Sequence, residues 1–167
     1  MAALTMIWQM PITSPYYSAM KAPFGFPLSP DKWSVIVTDS AYREQLNPTS
    51  GTWYNINATT IPIPIGLWKV SVGGAIGISK TTTAELEVHA TLSAANNSES
   101  DADFTVYCKV YTVLKMYNMI YKEKILSLAA KANYYWNTRN NSGAGIEAIV
   151  NRNDGSKLIL KAVCAYL

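Results

Sequence analysis

From Lys32 onward the apolar positions recur with a period of two. In Glu85-Leu86-Glu87-Val88-His89-Ala90-Thr91-Leu92 every second residue is apolar. That is the pattern of a strand with one buried face. Thr105–Tyr111 continues it: Phe104, Val106, Cys108 and Val110 fall on one face, and Tyr107, Lys109 and Tyr111 on the other. Tyrosine and β-branched residues suit such strands. Further strands are expected at Trp33–Thr38, Gly66–Ile78, Lys124–Asn137, Ile146–Asn151 and Lys157–Leu167. Leu114–Lys131 is ambiguous. Val113, Leu114, Tyr117 and Tyr121 would share one side of a short helix, but a strand end, a loop and another strand fit better. Turn residues separate the elements at Asn47–Gly51, Asn96–Asp101 and Asn140–Gly143. Asn153-Asp154-Gly155 reads as a hairpin, because Asp-Gly tolerates positive φ. Short strands with turns every 8–15 residues predict an all-β, antiparallel sandwich or barrel.

Residues 1–31 follow another rule. They hold five of the eight prolines, interleaved with Trp8, Tyr16, Tyr17, Phe24 and Phe26 and with four methionines. Prolines at this spacing forbid a long helix and favour extended backbone. A flexible linker would be polar, and this segment is greasy. The expected organisation is an extended docking arm, 1–31, that crosses to another subunit or surface, followed by one β domain, 32–167.

Length and composition narrow the class. A chain of 167 residues fits a single domain and hides about 70% of its unfolded surface. With 49% hydrophobic and 15% charged residues it is not generally disordered. No apolar run reaches the ~18 residues of a membrane span. A net charge of +3 with three arginines does not point to nucleic acid. No basic residue precedes Lys21, and Gln9 and Pro11 interrupt the apolar start, so no secretory leader is expected. The sequons at Asn57, Asn96 and Asn140 then carry no meaning. Two cysteines are too few for a disulfide scaffold. Cys108 and Cys164, inside apolar strand patterns, read as buried free thiols, with a disulfide between neighbouring strands as the lesser alternative.

Catalytic chemistry is sparse. The single histidine, His89, shares an outward strand face with Glu85 and Glu87. Successive members lie about 7 Å apart, too far for all three to bind one ion without a second strand. A solvated or interface face is the expectation, ahead of a metal site or a carboxylate acid/base pair. No G-x-S-x-G elbow accompanies His89. Gly73-Gly74-Ala75-Ile76-Gly77 lacks the Lys-Ser/Thr of a phosphate loop, and its glycines are expected to mark close backbone approach or a bulge. No cofactor is implied.

Thr60-Ile61-Pro62-Ile63-Pro64-Ile65-Gly66-Leu67-Trp68-Lys69-Val70-Ser71-Val72-Gly73-Gly74 resembles the opening strand of jelly-roll trimers of the tumour-necrosis-factor and complement-globular-head type. Jelly rolls of phage structural proteins are similar. Gly66 would open the turn and Trp68 would start a central strand. Ile125–Trp136 resembles that family's second strand pair, and Leu158–Leu167 its last, core strand. The family's usual Gly-Asp step is replaced by Ala130-Lys131. The resemblance covers roughly 32–167. It implies a homotrimeric jelly roll in a virion, without catalysis: a capsid decoration or cement protein that bridges capsomers. Trp8, Tyr16, Tyr17, Phe24 and Phe26 would then grip the major capsid protein or another virion protein. The alternative is the tip of a phage tail fibre or spike. In that case the loops around Asn47, Asn97 and Asn140 would bind a receptor or host surface glycan.

Overall fold

A computed structural model describes residues 33–56, 58–152 and 156–165. The expected docking arm, 1–31, with Trp8, Tyr16, Tyr17, Phe24 and Phe26, lies outside the described residues. The remainder is an antiparallel β-sandwich of jelly-roll type. Its strands are β1 (Ser34–Asp39), β2 (Arg43–Leu46), β3 (Trp53–Tyr54), β4 (Thr60–Ile63), β5 (Gly66–Ser93), β6 (Thr105–Leu128), β7 (Ala132–Asn140), β8 (Ile146–Arg152) and β9 (Leu158–Cys164). A short 3-10 turn at Ala102–Phe104 leads into β6. Among the described residues no helix is long and apolar enough to cross a membrane.

The fold is organised by β5, 28 residues long. Along one side it pairs with β6, from Gly66 opposite Leu128 to Thr91 opposite Thr105. Along the other side it takes three partners in turn. Trp68–Gly73 pair with β9, Ala75–Lys80 with β8, and Val88–Ser93 with β7. β1 extends the sheet beyond β9, and β2 extends it beyond β8. β3 and β4 pair with β7. Between the β8 and β7 contacts the register of β5 against β6 shifts at Ser79, Ala84 and Leu86, and Thr81–Thr83 are exposed. Extra residues on one strand bend it, so one strand serves both layers. β4, on the far layer, contacts β1 and β9 of the near one.

The period-two pattern sets the core. Trp68, Val70, Val72, Ile76 and Ile78 from the first half of β5 are buried, as are Leu86, Val88, Ala90 and Leu92 from the second. Ile61, Ile63, Phe104, Trp136, Ile149 and Leu160 complete this interior. Each large side chain removed from water stabilises by about 1.5–3 kcal/mol relative to leaving it exposed.

Several expectations are corrected. Gly66–Ile78 and Glu85–Leu92 are one strand, because the bulge bends β5 without ending its pairing. β6 does not break within Leu114–Lys131. Its pairing with β5 continues to Leu128, and inward Met116, Ile120 and Leu126 are buried. The expected strand Lys124–Asn137 is the end of β6, a turn, and most of β7. Asn153–Gly155 lie outside the described residues, but the strands on either side do not form a hairpin. β8 and β9 both run antiparallel to β5 and lie end to end along it. Cys164 is buried and Cys108 half-buried, both as free thiols.

Gly66, at φ +122°, opens β5 in a conformation that favours glycine. Trp68 is buried and its Nε1 donates to the Ile65 carbonyl at 3.3 Å. The glycine run does mark close approach. A Cβ on Gly77 would lie 2.3 Å from Tyr117 Cδ1 and 2.7 Å from Val150 Cγ2. Gly77→Val should therefore destabilise by about 1–3 kcal/mol through overpacking. Urea denaturation read by tryptophan fluorescence checks this, and an unchanged midpoint would contradict it.

Candidate functional site

Three surfaces of the described residues are candidates. The first is the outward face of β5 beyond its bulge, where Glu85, Glu87 and His89 stand in a row as alternation requires. β6 and β7 flank that row and supply cations. Lys109 Nζ lies 2.7 Å from Glu85 Oε1 and 3.2 Å from Glu87 Oε2. Arg139 Nη2 lies 2.9 Å from His89 Nδ1. Arginine has only donors, so Nδ1 accepts and the ring proton sits on Nε2. Nε2 donates to Glu87 Oε1 at 2.6 Å, and Asn141 Nδ2 donates to the same oxygen at 2.7 Å. The Arg139 guanidinium stacks 4.5 Å from the Trp53 ring centre, and Lys109 lies 5.3 Å from that of Tyr111. Both distances suit cation–π attraction.

Partial burial alone would push the Glu87 carboxyl up. Hydrogen bonds from His89, Asn141 and Lys109 outweigh it and hold the group below the ordinary glutamate range. The ion pairs with Glu85 and then Glu87 hold Lys109 above the usual lysine range. Among the described residues no three His, Cys, Asp or Glu side chains group so as to hold a metal ion. The arrangement is a closed network in which Glu87 has three donors and His89 is bound at both nitrogens. It orders the face rather than presenting a free acid, base or ligand.

The second surface is the outward face of β6. Tyr107, Tyr111, Tyr117, Met119, Tyr121 and Ile125 stand along it, with Met119 70% and Ile125 60% exposed. Small residues on β5 lie beside them. Tyr117 is registered with Gly77 and Tyr121 with Gly73. Across the near layer Gly73 is registered with the exposed Ile159, and β1 adds the exposed Ile36. An alternating signal was present in Lys115-x-Tyr117-x-Met119-x-Tyr121-x-Glu123-x-Ile125. The helical spacing of Val113, Leu114, Tyr117 and Tyr121 obscured it. Glu123 is held by Lys69 at 3.0 Å and by Tyr121 Oη at 2.6 Å.

The third surface is the loop set. Gly51 N donates to the Asn140 carbonyl at 2.8 Å, which joins the Asn47–Gly51 loop to the end of β7. Asn47 is exposed with φ +46°. Asn97 is exposed, but its Oδ1 accepts from Asn55 N at 2.6 Å and its own N–H donates to Asn137 Oδ1 at 3.1 Å. Asn140 is fully buried. Its Oδ1 accepts from Ser142 N at 2.7 Å. Asn137, also fully buried, donates to the Ala95 and Ser98 carbonyls at 2.9 and 2.7 Å. These amides hold loop backbone in place.

No protein-family model matches the chain, and no curated protein matches it. Among solved structures, the fold is similar to a chain of the infectious bursal disease virus Gt strain, at 10% identity and a TM-score of 0.40. The match covers 77% of this chain and 33% of that one. A chain of the Gx strain matches at 10% identity and a TM-score of 0.29, over 79% and 37%. T=1 particles derived from infectious bursal virus match at 11% and 0.29, over 78% and 36%. The chain thus spans about a third of the length of these solved chains.

The depressed Glu87 carboxyl makes a pH prediction. Its stabilisation is fully present above the unfolded glutamate value of about 4.3. It is lost as pH falls through the lower folded value. Thermal melts of the wild type and Glu87→Gln should differ most at neutral pH and converge as pH is lowered towards 3. A gap that stays constant with pH would show that the Glu87 charge contributes nothing.

Proposed function

We propose that the protein is a non-enzymatic structural component of a virion, a capsid decoration or cement protein that works by assembling with further copies of itself. The observation that carries this reading is the outward face of β6, with its exposed tyrosines, Met119 and Ile125, continued on the near layer by Ile159 and Ile36. Monomeric proteins rarely leave a large contiguous apolar patch in water. Tyrosine and methionine are enriched at protein interfaces.

Two further points support it. The Glu85–His89 row, which holds the single histidine of the chain, is engaged in its own ion pairs and hydrogen bonds. The resemblance of Thr60–Gly74 to jelly-roll trimers adds a homotrimer in which one sheet of each subunit is covered by its neighbours. In that arrangement Trp8, Tyr16, Tyr17, Phe24 and Phe26 would grip the major capsid protein. The tail-fibre tip has less support. Of its three loop asparagines, Asn140 is buried and Asn97 is held by Asn55 and Asn137.

Light scattering of the full chain at micromolar concentration should give a multimer, a trimer if the resemblance holds in full. Met119→Lys together with Ile125→Lys should weaken association at least tenfold, about 1.4 kcal/mol, with no loss of β structure by circular dichroism. A wild type that stays monomeric at high micromolar concentration would overturn the reading.

A further inference from the structure

We infer that two copies of the chain join edge to edge along β6, antiparallel and about a two-fold axis at Met116, so that their sheets run on into each other. This rests on the self-assembly proposed above and adds to it a two-fold contact, separate from the three-fold contacts of a trimer. Among the described residues β6 pairs with β5 and with no other strand. It is 24 residues long. About half of those residues therefore turn an N–H and a C=O away from the sheet, towards a partner that is another strand or water.

The arm is a poor occupant of that edge. Proline has no N–H to give a ladder. The longest proline-free runs in residues 1–31 are residues 1–10 and 16–22. A second β6 matches the whole length. In an antiparallel pair the outward face must meet the outward face. The register that sets Lys109 opposite Glu123 does this. It also sets Tyr111 opposite Tyr121 and Tyr107 opposite Ile125. Aromatic and apolar pairs facing across strands favour such a ladder, and opposite charges meet where Lys109, bound to Glu85 and Glu87, faces Glu123, bound to Lys69.

Charge separates this register from its neighbours. A slide of one pleat in one direction sets Lys115 against Lys115 of the other copy. A slide the other way leaves Glu123 opposite Tyr111. A longer slide that sets Lys115 against Glu123 leaves Thr105–Lys109 unpaired. Lysines on an edge strand often serve to keep copies apart. Here Lys109 is bound to Glu85 and Glu87, and Lys124 to Asp101 at 2.5 Å and Asp103 at 3.6 Å. In the two-fold register no lysine faces a lysine: Lys122 lies opposite Val110 and Lys124 opposite Cys108.

The test is disulfide trapping in the full chain with Tyr111→Cys and Tyr121→Cys combined, both at positions 64% exposed. Facing residues of an antiparallel pair have Cα atoms about 4.5–5.5 Å apart, within the reach of a disulfide. The two positions on one β6 are separated by about 33 Å of strand, so only a partner copy can close the bond. Under mild oxidation the double variant should run as a covalent dimer on a non-reducing gel. The wild type and each single variant should not. Tyr107→Cys with Ile125→Cys tests the same register if the first pair fails to fold. Folded protein without a covalent dimer, or equal dimer from a single variant, would overturn the inference. Light scattering of the same sample separates the two failures. A multimer that does not cross-link refutes this contact and leaves self-assembly standing, whereas a monomer refutes both.

Discussion

The pairing of β5 with β6 is the constraint on which the described fold depends. It runs from Gly66–Leu128 to Thr91–Thr105 and passes through the bulge between Ser79 and Leu86. Because β5 crosses from one layer to the other without ending, its remaining side is divided among β9, β8 and β7. Those three strands set the places of β1, β2, β3 and β4. A break in β5 and β6 at the bulge would leave the two layers without a common strand.

The same constraint generates the surface. β6 uses one side for β5, so its other side faces away from the described strands. The outward face carries tyrosines over a β5 reduced to glycine at Gly73 and Gly77. Beyond the bulge, the outward positions of β5 are polar, and Lys109, Arg139 and Asn141 order them into a network around Glu87 and His89. The long hairpin therefore presents two chemistries on one face: apolar and aromatic along β6, ion-paired on the second half of β5. That combination suits a protein interface with a fixed register more than a substrate cleft.

Much of the fold is legible in the residues, because alternation is local and strands have a period of two. Leu86 to Leu92 and Phe104 to Val110 read as strands for that reason and are strands. What fails is what depends on distant pairing. Lys80-Thr81-Thr82-Thr83 carries no local mark of a bulge that keeps the strand going. Asp154-Gly155 is a strong local turn signal, yet β8 and β9 take their hydrogen bonds from β5, about eighty residues earlier in the chain. The site is legible by half. Alternation alone puts Glu85, Glu87 and His89 on one outward face, where they stand in the structure. Their partners Lys109, Arg139 and Asn141 come from other strands and could not be read. The loop asparagines show the limit of residue type. Asn140 has the chemistry of a ligand contact, but burial gives it to the Ser142 backbone.

In the proposed assembly the outer edge and face of β6 are covered by further copies of the chain. Hydrogen–deuterium exchange of the Thr105–Leu128 amides, followed as protein concentration is raised, measures this most directly. At the lowest concentration alternate amides along β6 should exchange quickly, since their N–H groups point away from β5. At high concentration the fast set should become protected together with its neighbours. An alternating pattern that persists unchanged at every concentration would contradict the claim.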